Sequence, residues 1–534
     1  MSKNNTLCIA EWQSFGVEDI YRAIKPCHLK QDEVFKNSSA NVQNLLDSSV
    51  ASLPQNDKNT ESRDDDELLD KAQRIFSELQ NFANQKGNFD DREGNHIFLT
   101  PYRNNRLKAR NFVGLIQTKS GFCLEILPKT FRTARDSEGF AIKNCTCSSL
   151  RGNETDETIQ NGVDCHADKS ARNDNSKSQK CEVCKAKQIL LDMLKTLKNS
   201  PFKQSHIAHP KTQHLPLLEV FAIMFLDELE RLIKKGIKSD YVVREENRTF
   251  LKGKLLFGEN LKHNFAHKER FFNASDEFIA DIAPNRLIVS TILFLSALGF
   301  SPRTSGRISQ ARFIFADIPP SKSIDKDFAT SPSSRHYKDY ELLLAWCEIF
   351  LRRKSFMPYQ GGDKAFALLF DMNKLFESFV AWHLKRVCGN ERVIKAQESR
   401  KYLLQIGRVS KFQIKPDIVC REGNSRDNVV FIADTKWKIL ESSESKTDGI
   451  AQGDLYQMFA YLAKYECENG FLIYPQIEGI EASEIEDTKA SQDFAHKHLT
   501  YKPKSNLPNQ NPHKLKIYFF NLHNPSHSAN EILA

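Results

Sequence analysis

The chain has 534 residues, of which 40% are hydrophobic, and a formal net charge of +8. A chain of this length exceeds the size at which a single hydrophobic core stops growing, so we expect several domains. The twelve cysteines lack the spacing of a secreted disulfide framework, residues Met1–Ile9 lack the apolar core of a signal peptide, and Leu287–Phe300 is shorter than the roughly 20 residues that cross a bilayer. The sequence therefore predicts a cytoplasmic protein without a membrane span, whose mild basicity is compatible with a polyanion partner but does not require one.

Residues 1–134 are predicted to form a strand-rich N-terminal domain. Apolar residues recur at helical spacing in Leu68–Phe82 and alternate in the short runs Phe112–Gln117 and Phe122–Leu127. Residues 31–66 are rich in Asn, Ser and Asp and contain few large apolar groups, which indicates a polar loop insertion.

A second polar stretch, residues 135–187, has the composition of a disordered insertion but contains five cysteines. Cys145, Cys147, Cys181 and Cys184 could present four thiolates to a zinc ion. Against this hypothesis, the first pair has an unusual C-x-C spacing and the sequence between the pairs lacks core-forming residues. Reduced, solvated thiols are the simpler interpretation.

Residues 188–332 are predicted to be mainly helical, with the clearest periodicity in Leu217–Ile233 and Arg286–Leu298. Between these helices lies a basic strip in which cationic side chains are interleaved with phenylalanines. The members of the basic strip are Arg244, Arg248, Lys252, Lys254, Lys262, His263, His267, Lys268 and Arg270, with Phe250, Phe257, Phe265, Phe271 and Phe272. This mixture suits phosphates and stacked bases, an acidic groove of a protein partner, or a solvated face.

Residues 333–534 show helix, strands, helix and strand in turn, which is typical of an α/β domain. The predicted fold class is thus multidomain α+β. It comprises the strand-rich N-terminal domain, the helical middle region and a C-terminal α/β domain.

Two adjacent strand patterns in the C-terminal region carry acidic residues. The segment Phe412–Cys420 contains Asp417 directly after a proline, and Val429–Trp437 is apolar and β-branched enough for a buried strand. A side-chain period of two places Asp434 and Lys436 on the same face of that strand. If the two segments pair as a hairpin, two carboxylates and one ammonium group meet at the end of an apolar sheet.

Such a group suits Mg²⁺, which takes few carboxylate ligands, keeps several waters and accepts phosphate oxygens. A lysine beside it can position or help deprotonate an attacking hydroxide. The spacing of Pro-Asp and Asp-x-Lys resembles the PD-(D/E)xK nuclease signature, in which the D/E position falls on Asp434. Asp417, Asp434 and Lys436 are therefore candidate catalytic residues of a nuclease.

Two predicted helices flank this motif. The helix that begins at Met372 carries Glu377 at the border of its apolar face, where its carboxylate can reach the site as a third metal ligand with Asp417 and Asp434. In the downstream helix, Gln457 and Tyr461 share a face at i, i+4. These two residues match the Gln-x-x-x-Tyr element of RecB-type nucleases and complete the candidate catalytic set. Alternatively, Glu377 lies on a solvated helix edge and Tyr461 is a packed core aromatic.

The ordered motifs together resemble the McrC family. The C-terminal residues that carry this resemblance are Met372-Asn-x-Leu-Phe-Glu377, Pro416-Asp417, Asp434-Thr-Lys-Trp-Lys438, Asp454-Leu-Tyr-Gln-Met-x-Ala-Tyr461 and Leu472-Ile-Tyr-Pro475. Earlier segments that are similar are Val113-Gly-Leu-Ile116, Leu124-Glu-Ile-Leu-Pro-Lys129, Lys252-Gly-Lys-Leu255, Asp276-Glu-Phe278 and Asn285-Arg-Leu287. The resemblance covers most of the chain except the two polar insertions.

The resemblance implies the Mg²⁺-dependent nuclease subunit of a restriction system that cleaves double-stranded DNA containing 5-methylcytosine. It also implies a partner, an McrB-type AAA+ GTPase hexamer, into which the N-terminal and middle regions dock and whose GTP hydrolysis they stimulate. The chain contains no G-x-x-x-x-G-K-[ST] phosphate loop, so a nucleotide-driven step requires such a partner. Two alternatives remain open: a non-catalytic activator subunit of an NTPase complex, and a stand-alone RecB-like repair nuclease.

Overall fold

The structure is a computed structural model. It describes residues 5–25, 58–85, 88–90, 95–130, 182–198, 200–204, 215–331, 335–352, 366–406, 408–423, 428–440, 449–476, 498–500 and 513–534. Within these ranges, no helix combines the length and the apolar character needed to cross a bilayer.

The N-terminal region is built mainly from strands. Its elements are β1 (Thr6–Ala10), β2 (Ser14–Phe15), α1 (Val17–Ile24), α2 (Lys58–Ala83), β3 (Phe89–Asp90), β4 (Asn95–His96), β5 (Leu99–Tyr102), β6 (Arg106–Ala109), β7 (Phe112–Gln117) and β8 (Cys123–Leu127). β7 and β8 form an antiparallel hairpin, and β1 lies parallel to β8. α2 packs its apolar stripe against this sheet, as the helical spacing of Leu68–Phe82 predicts.

The middle region is a helix bundle with a small sheet projecting from it. Its elements are α3 (Glu182–Thr196), α4 (Leu217–Lys235), β9 (Asp240–Arg248), β10 (Lys254–Leu255), α5 (Phe257–Asn264), β11 (Phe271–Ile279), α6 (Ala283–Ser296), α7 (Pro302–Ile314) and α8 (Ile324–Thr330). A buried ion pair of 2.7 Å between Lys187 on α3 and Glu125 on β8 joins the bundle to the N-terminal sheet. Glu125 also accepts a hydrogen bond from the backbone N–H of Leu217, at the start of α4.

The C-terminal region contains the largest sheet. Its elements are α9 (Lys338–Leu351), β12 (Phe366–Asp371), α10 (Met372–Val387), β13 (Arg392–Ala396), β14 (Tyr402–Ile406), β15 (Val409–Gln413), β16 (Ile418–Glu422), β17 (Val429–Thr435), α11 (Gln452–Tyr465), β18 (Asn469–Gln476), β19 (His498–Thr500), β20 (Lys514–Asn521) and α12 (Pro525–Leu533). The strand order is β13-β16-β17-β18-β20-β19, with β17, β18 and β20 parallel to one another.

Helices cover both faces of this sheet. The side chains of α10 and α12 pack with Ile418, Phe431 and Tyr518 on one face, whereas α11 packs with Val419, Ile432 and other residues on the opposite face. Successive strand residues point to opposite faces, which explains why the continuous apolar run of β17 is buried on both sides. The polar residues of β17 therefore come to lie at its carboxyl end.

β12 leaves the C-terminal region and completes the N-terminal sheet, whose strand order is β1-β8-β7-β12. The whole of β12 pairs with β7, from Phe366 opposite Gln117 to Asp371 opposite Phe112. Asp371 then caps α10, because its carboxylate accepts a hydrogen bond of 2.9 Å from the backbone N–H of Asn373. The N-terminal sheet therefore fixes the start of α10.

Several predicted boundaries differ from the structure. α2 begins at Lys58, so the end of the predicted loop 31–66 is helical. Cys184 and Lys187 are buried in α3 and not part of a solvated insertion, since they pack on the main core. Of the four cysteines considered for a zinc site, Cys145, Cys147 and Cys181 lie outside the described residues.

The middle region is mainly helical, but a small sheet lies between α4 and α6. Residues of the basic strip lie in the antiparallel pair β9–β11, in β10 and in α5. Arg248 contacts Glu246 and Glu277 at 2.7 Å, and Lys252 contacts Glu277 at the same distance. These glutamates neutralise part of the strip, which weakens the hypothesis that it binds phosphates.

Candidate active site

The antiparallel pairing of β16 with β17 brings the two predicted aspartates together. Ile418 lies opposite Ala433, so Asp417, one residue before β16, lies next to Asp434 near the end of β17. The segment Phe412–Cys420 is divided between β15 and β16, with Pro416 in the gap between them. Proline lacks the N–H that a central strand would use, which accounts for the break.

Asp434 and Lys436 face the same side, as their spacing predicts. Asp434 is buried, and its Oδ2 lies 2.7 Å from the Lys436 ammonium. Apart from this ion pair, that oxygen has no hydrogen-bond donor among the described residues. A buried carboxylate oxygen with an unused lone pair is a suitable ligand for a cation.

Asp417 is held by the backbone and side chain that follow Asp434. Its Oδ2 accepts hydrogen bonds from the backbone N–H of Thr435 at 2.9 Å and from the Thr435 hydroxyl at 2.8 Å. Its Oδ1 accepts a hydrogen bond of 3.2 Å from the Gln397 side-chain amide. These three bonds fix the orientation of the carboxylate while leaving further lone pairs on its oxygens.

Glu377 reaches the site from α10 through Gln397. The same Gln397 amide nitrogen donates to Glu377 Oε1 at 2.5 Å and to Asp417 Oδ1. Gln397 has a left-handed backbone with φ of 53° and its N–H donates to the Asp417 carbonyl, so its position is strongly constrained. The amide holds Glu377 beside Asp417 and separates the two carboxylates.

Gln457 and Tyr461 form a hydrogen-bonded chain that begins at Lys436. The Lys436 ammonium donates to Gln457 Oε1 at 3.0 Å, and the Gln457 amide donates to the Tyr461 hydroxyl at 2.7 Å. The Tyr461 hydroxyl in turn donates to the Lys415 carbonyl at 3.3 Å. Their one-turn spacing on α11 allows this alignment, which orients the lysine.

Burial raises the pKa values of all three carboxyl groups. The pKa of Glu377 rises to about 7, through desolvation and then through the charge of Asp417. Desolvation and the charge of Asp417 raise the pKa of Asp434 to about 6, and desolvation also raises the pKa of Asp417. For Lys436, burial acts to lower the pKa, but Asp434 and Asp454 outweigh it and the net shift is upward. The lysine is therefore an ammonium ion at neutral pH.

These observations fit a divalent cation at Asp417 and Asp434. Carboxyl groups with raised pKa values become fully ionised when a cation replaces the lost solvation. Among the described residues, no three His, Cys, Asp or Glu side chains converge as a preformed metal cluster. The separation of Glu377 by Gln397 agrees with this, and Mg²⁺ requires only one or two protein carboxylates.

Sequence reasoning missed three residues of this site. Thr435 and Gln397 hold Asp417, and Asp454 contacts both lysines, at 3.3 Å from Lys436 Nζ and 2.9 Å from Lys438 Nζ. Thr435 and Asp454 lie within the motifs, where their polarity is a visible signal. Gln397 follows β13, a strand that the sequence pattern does not predict. Its role depends on a turn that no local pattern indicates.

A contact from the N-terminal region supports the end of β17. The indole N–H of Trp437 donates to the carboxylate of buried Glu11, and the Lys129 ammonium donates to the Trp437 carbonyl at 3.4 Å. Burial raises the pKa of Glu11 to about 7. Residues directly after β1 and β8 thereby fix the residue that follows Lys436.

The arrangement can position a phosphate ester for hydrolysis. The buried carboxylate of Asp434 and the half-buried carboxylate of Asp417 supply ligands for a cation, and the Lys436 ammonium, 2.7 Å from Asp434, supplies a fixed positive charge. Such preorganised charge stabilises a phosphoryl transition state in which negative charge accumulates on oxygen.

A family model identifies the family of this chain. The family model for the McrBC 5-methylcytosine restriction system component matches residues 107–475, more than half of the chain. No curated protein matches the sequence. A chain in the solved half-complex from the tetradecameric assembly of Thermococcus gammatolerans McrB AAA+ hexamers with bound McrC is 17% identical, with a TM-score of 0.53 over 99% of this chain and 100% of that chain. A chain in the T. gammatolerans McrBC complex is 16% identical, with a TM-score of 0.39 over 71% of this chain and 87% of the other. The family model spans most of the chain, including all the candidate catalytic residues. The protein therefore belongs to the family of McrBC 5-methylcytosine restriction system components.

Proposed function

We propose that this protein is the Mg²⁺-dependent DNA endonuclease subunit of a modification-dependent restriction system. Its substrate is double-stranded DNA that carries 5-methylcytosine, and the reaction is hydrolysis of the phosphodiester backbone at a PD-(D/E)xK site. The observation that carries this proposal is the group formed by Asp417, Asp434 and Lys436, in which the Lys436 ammonium lies 2.7 Å from the buried Asp434 carboxylate.

Each residue of the group has a role that follows from its contacts. Asp417 and Asp434 would hold Mg²⁺, which would supply positive charge against the scissile phosphate and a lowered pKa for a bound water. Lys436 remains an ammonium ion beside Asp434 and therefore stabilises the attacking hydroxide and the phosphate charge. Gln457 and Tyr461 keep the ammonium aimed at the reacting atoms, and Glu377 accepts protons near neutral pH.

The chain acts with an AAA+ GTPase hexamer of the McrB type. It has no phosphate loop of its own, and the structurally similar chain belongs to an assembly of McrB AAA+ hexamers with bound McrC. The small sheet β10-β11-β9 suits a protein partner, because Tyr241 is 71% exposed and Phe278 is 63% exposed on adjacent strands. Recognition of the methylated base falls to the GTPase partner, as the resemblance to the McrC family implies.

Replacement of Asp434 tests the proposal. Asp434→Ala is expected to abolish cleavage of methylated DNA by the complete complex, because it removes a ligand and the anionic partner of Lys436. The measurement is the rate of linear DNA formation with the GTPase, GTP and Mg²⁺ present. The matched control, Asp317→Ala, removes an exposed aspartate on the helix bundle and should leave the rate unchanged.

Three results contradict the proposal in different ways. Cleavage by the Asp434→Ala complex shows that the assigned centre is wrong. Cleavage by the wild-type chain without any GTPase identifies a stand-alone RecB-like nuclease. Stimulation of GTP hydrolysis without DNA cleavage, under all metal conditions, identifies an activator subunit.

A further inference from the structure

The hairpin β14–β15 lies next to the candidate active site, and neither the family nor the catalytic motif gives it a role. We define the ribbon as residues Ser399–Lys415, which contain this hairpin. The strands pair from Tyr402 opposite Gln413 to Ile406 opposite Val409, and no third strand joins them among the described residues. Isolated two-stranded ribbons are only marginally stable in water, so this hairpin is expected to depend on other contacts.

The ribbon is anchored firmly at its base. Glu398, the residue before it, forms a buried bidentate ion pair with Arg421 on β16, at 2.6 and 2.7 Å. Lys401 donates to the Lys464 carbonyl at 3.0 Å, which ties the ribbon to α11. Ile414 is buried in the core beneath α11. The base is therefore fixed while the strands project from the domain.

The strands expose large apolar side chains instead of burying them. On one face, Ile406 and Val409 lie opposite each other and are each 58% exposed, and Leu404 is 50% exposed. Phe412 is 67% exposed, and its backbone has a φ of 58°, a conformation that bulky residues rarely adopt. An exposed apolar surface held in this way is typical of a binding surface.

The charge of the ribbon selects the kind of partner. The seventeen residues from Ser399 to Lys415 contain five basic residues and no acidic ones. Among the described residues, Arg408 and Lys411 form no ion pair, whereas Arg400 and Lys415 act electrostatically on Glu398 and Glu377. A second copy of the ribbon would carry the same positive charge and be repelled, whereas a polyanion would be attracted.

The ribbon is also joined directly to the candidate catalytic residues. Lys415 is two residues before Asp417, and its carbonyl accepts the hydrogen bond from the Tyr461 hydroxyl. DNA held by the ribbon would therefore pass close to Asp417. A two-stranded ribbon is narrow enough to enter a groove of duplex DNA, where cations contact phosphates and apolar side chains contact sugars and bases.

We propose that the ribbon is a DNA-binding arm that enters a groove of the duplex next to the scissile phosphate. Arg408 and Lys411 contact backbone phosphates, and Phe412 packs against the nucleotides. The proposal rests on the proposed function, because it takes DNA as the substrate of the adjoining site.

The test measures DNA binding apart from cleavage. The full-length chain is titrated, without divalent metal ions, into a short fluorescein-labelled DNA duplex, and anisotropy is recorded at several salt concentrations. The double variant Arg408→Ser/Lys411→Ser should bind on the order of tenfold more weakly, and the slope of log K against log salt should fall by about 2, since two phosphate contacts are lost. Phe412→Ala should weaken binding by up to about tenfold without changing this slope.

A matched control separates local contacts from total charge. Arg303→Ser/Lys322→Ser removes the same two charges from exposed positions on the helix bundle and should leave the affinity within about twofold of the wild type. Thermal unfolding of the ribbon variants should match that of the wild type, because the replaced side chains are exposed.

Two results would overturn the proposal. One is wild-type affinity and salt slope in the ribbon double variant. The other is a ribbon variant whose DNA binding is unchanged but whose sedimentation shows loss of a dimer, which would assign the surface to a second copy of the chain. Either result leaves the nuclease assignment intact, because that assignment depends on the cleavage activity of Asp434→Ala.

Discussion

At the scale of single residues, the candidate site is an accumulation of buried negative charge beside one lysine. The positions of Asp417, Asp434 and Lys436 could be predicted from strand period and motif order, because local spacing determines which side chains share a face. The hydrogen bonds of Gln397 could not be predicted. They depend on a left-handed backbone and on a helix twenty residues away, which no local pattern encodes.

The raised pKa of Glu377 predicts a pH-dependent stability. Between its ordinary value of 4.5 and its folded value of about 7, the folded state holds more protons than the unfolded state. The free energy of unfolding therefore falls as pH rises through this window and levels off above it. Glu377→Gln cannot ionise, so it avoids this fall in the free energy of unfolding. In EDTA at pH 8 the variant should therefore be more stable than the wild type by up to a few kcal/mol. The size follows because a tenfold change in proton affinity corresponds to about 1.4 kcal/mol.

Urea unfolding at pH 5 and pH 8 measures this difference. Glu341→Gln, which changes an exposed glutamate on α9, serves as the control and should show no comparable change between the two pH values. An equal stability difference between Glu377→Gln and the wild type at both pH values would mean that Glu377 is not desolvated.

Mg²⁺ should stabilise the wild-type chain through Asp434. A ligand that binds only the folded state at a hundredfold excess over its Kd adds about 2.7 kcal/mol to the free energy of unfolding. We expect thermal unfolding of the wild type to shift upward with increasing Mg²⁺. Asp434→Asn should lose most of this shift, because its amide cannot replace a buried carboxylate. Equal shifts in both proteins would place the cation elsewhere.

At the scale of elements, long apolar patterns were predictable and short exposed strands were not. Helices α4, α6, α10 and α11 follow the periodicity of the sequence, because each buries one apolar face. The ribbon and the small sheet β10-β11-β9 have apolar residues that face outward, so their patterns do not separate an inner face from an outer face. The sequence analysis therefore left three interpretations of the basic strip open and gave the ribbon no role.

Gly114 is essential to the pairing of β7 with β12. Its φ is +135°, and a Cβ at this position would lie 2.0 Å from the Leu368 carbonyl oxygen. We expect Gly114→Ala to lower the free energy of unfolding by roughly 3 kcal/mol or more, through overpacking and backbone strain. Gly258→Ala on α5 is the control, because its Cβ would meet open space and alanine favours a helix. A Gly114→Ala protein with wild-type stability in urea would contradict the close approach of these strands.

At the scale of the whole molecule, regions far apart in sequence share one structure. The main core contains residues from the N-terminal sheet, the helix bundle and the C-terminal sheet. The multidomain α+β class was predictable from the order of the patterns. The addition of β12 to the N-terminal sheet could not be predicted. Its pairing with β7 joins residues about 250 positions apart, and local spacing carries no information about such a contact.

The contact between Glu11 and Trp437 predicts that the N-terminal region positions Lys436, the candidate catalytic lysine. Trp437→Phe keeps the aromatic packing but leaves the buried Glu11 carboxylate without its indole donor, which costs about 1–3 kcal/mol. We expect slower DNA cleavage by the complex, with unchanged stimulation of the GTPase. Glu11→Ala should have the same effect, and Glu11→Gln should restore much of the activity, because it retains a carbonyl acceptor.

Trp382→Phe is the control for loss of an indole, since Trp382 is partly exposed on α10. It should cleave DNA at the wild-type rate. Normal cleavage by both Trp437→Phe and Glu11→Ala would show that this contact has only a structural role.

The pairing of β12 with the N-terminal sheet determines whether this protein can be divided into separately folding fragments. A fragment that begins after α9 would start with a strand whose hydrogen-bonding partner had been left behind, and a fragment that ends before it would expose the open edge of β7. Separately expressed halves should therefore aggregate on their own and become soluble when produced together, as two pieces that complete one sheet.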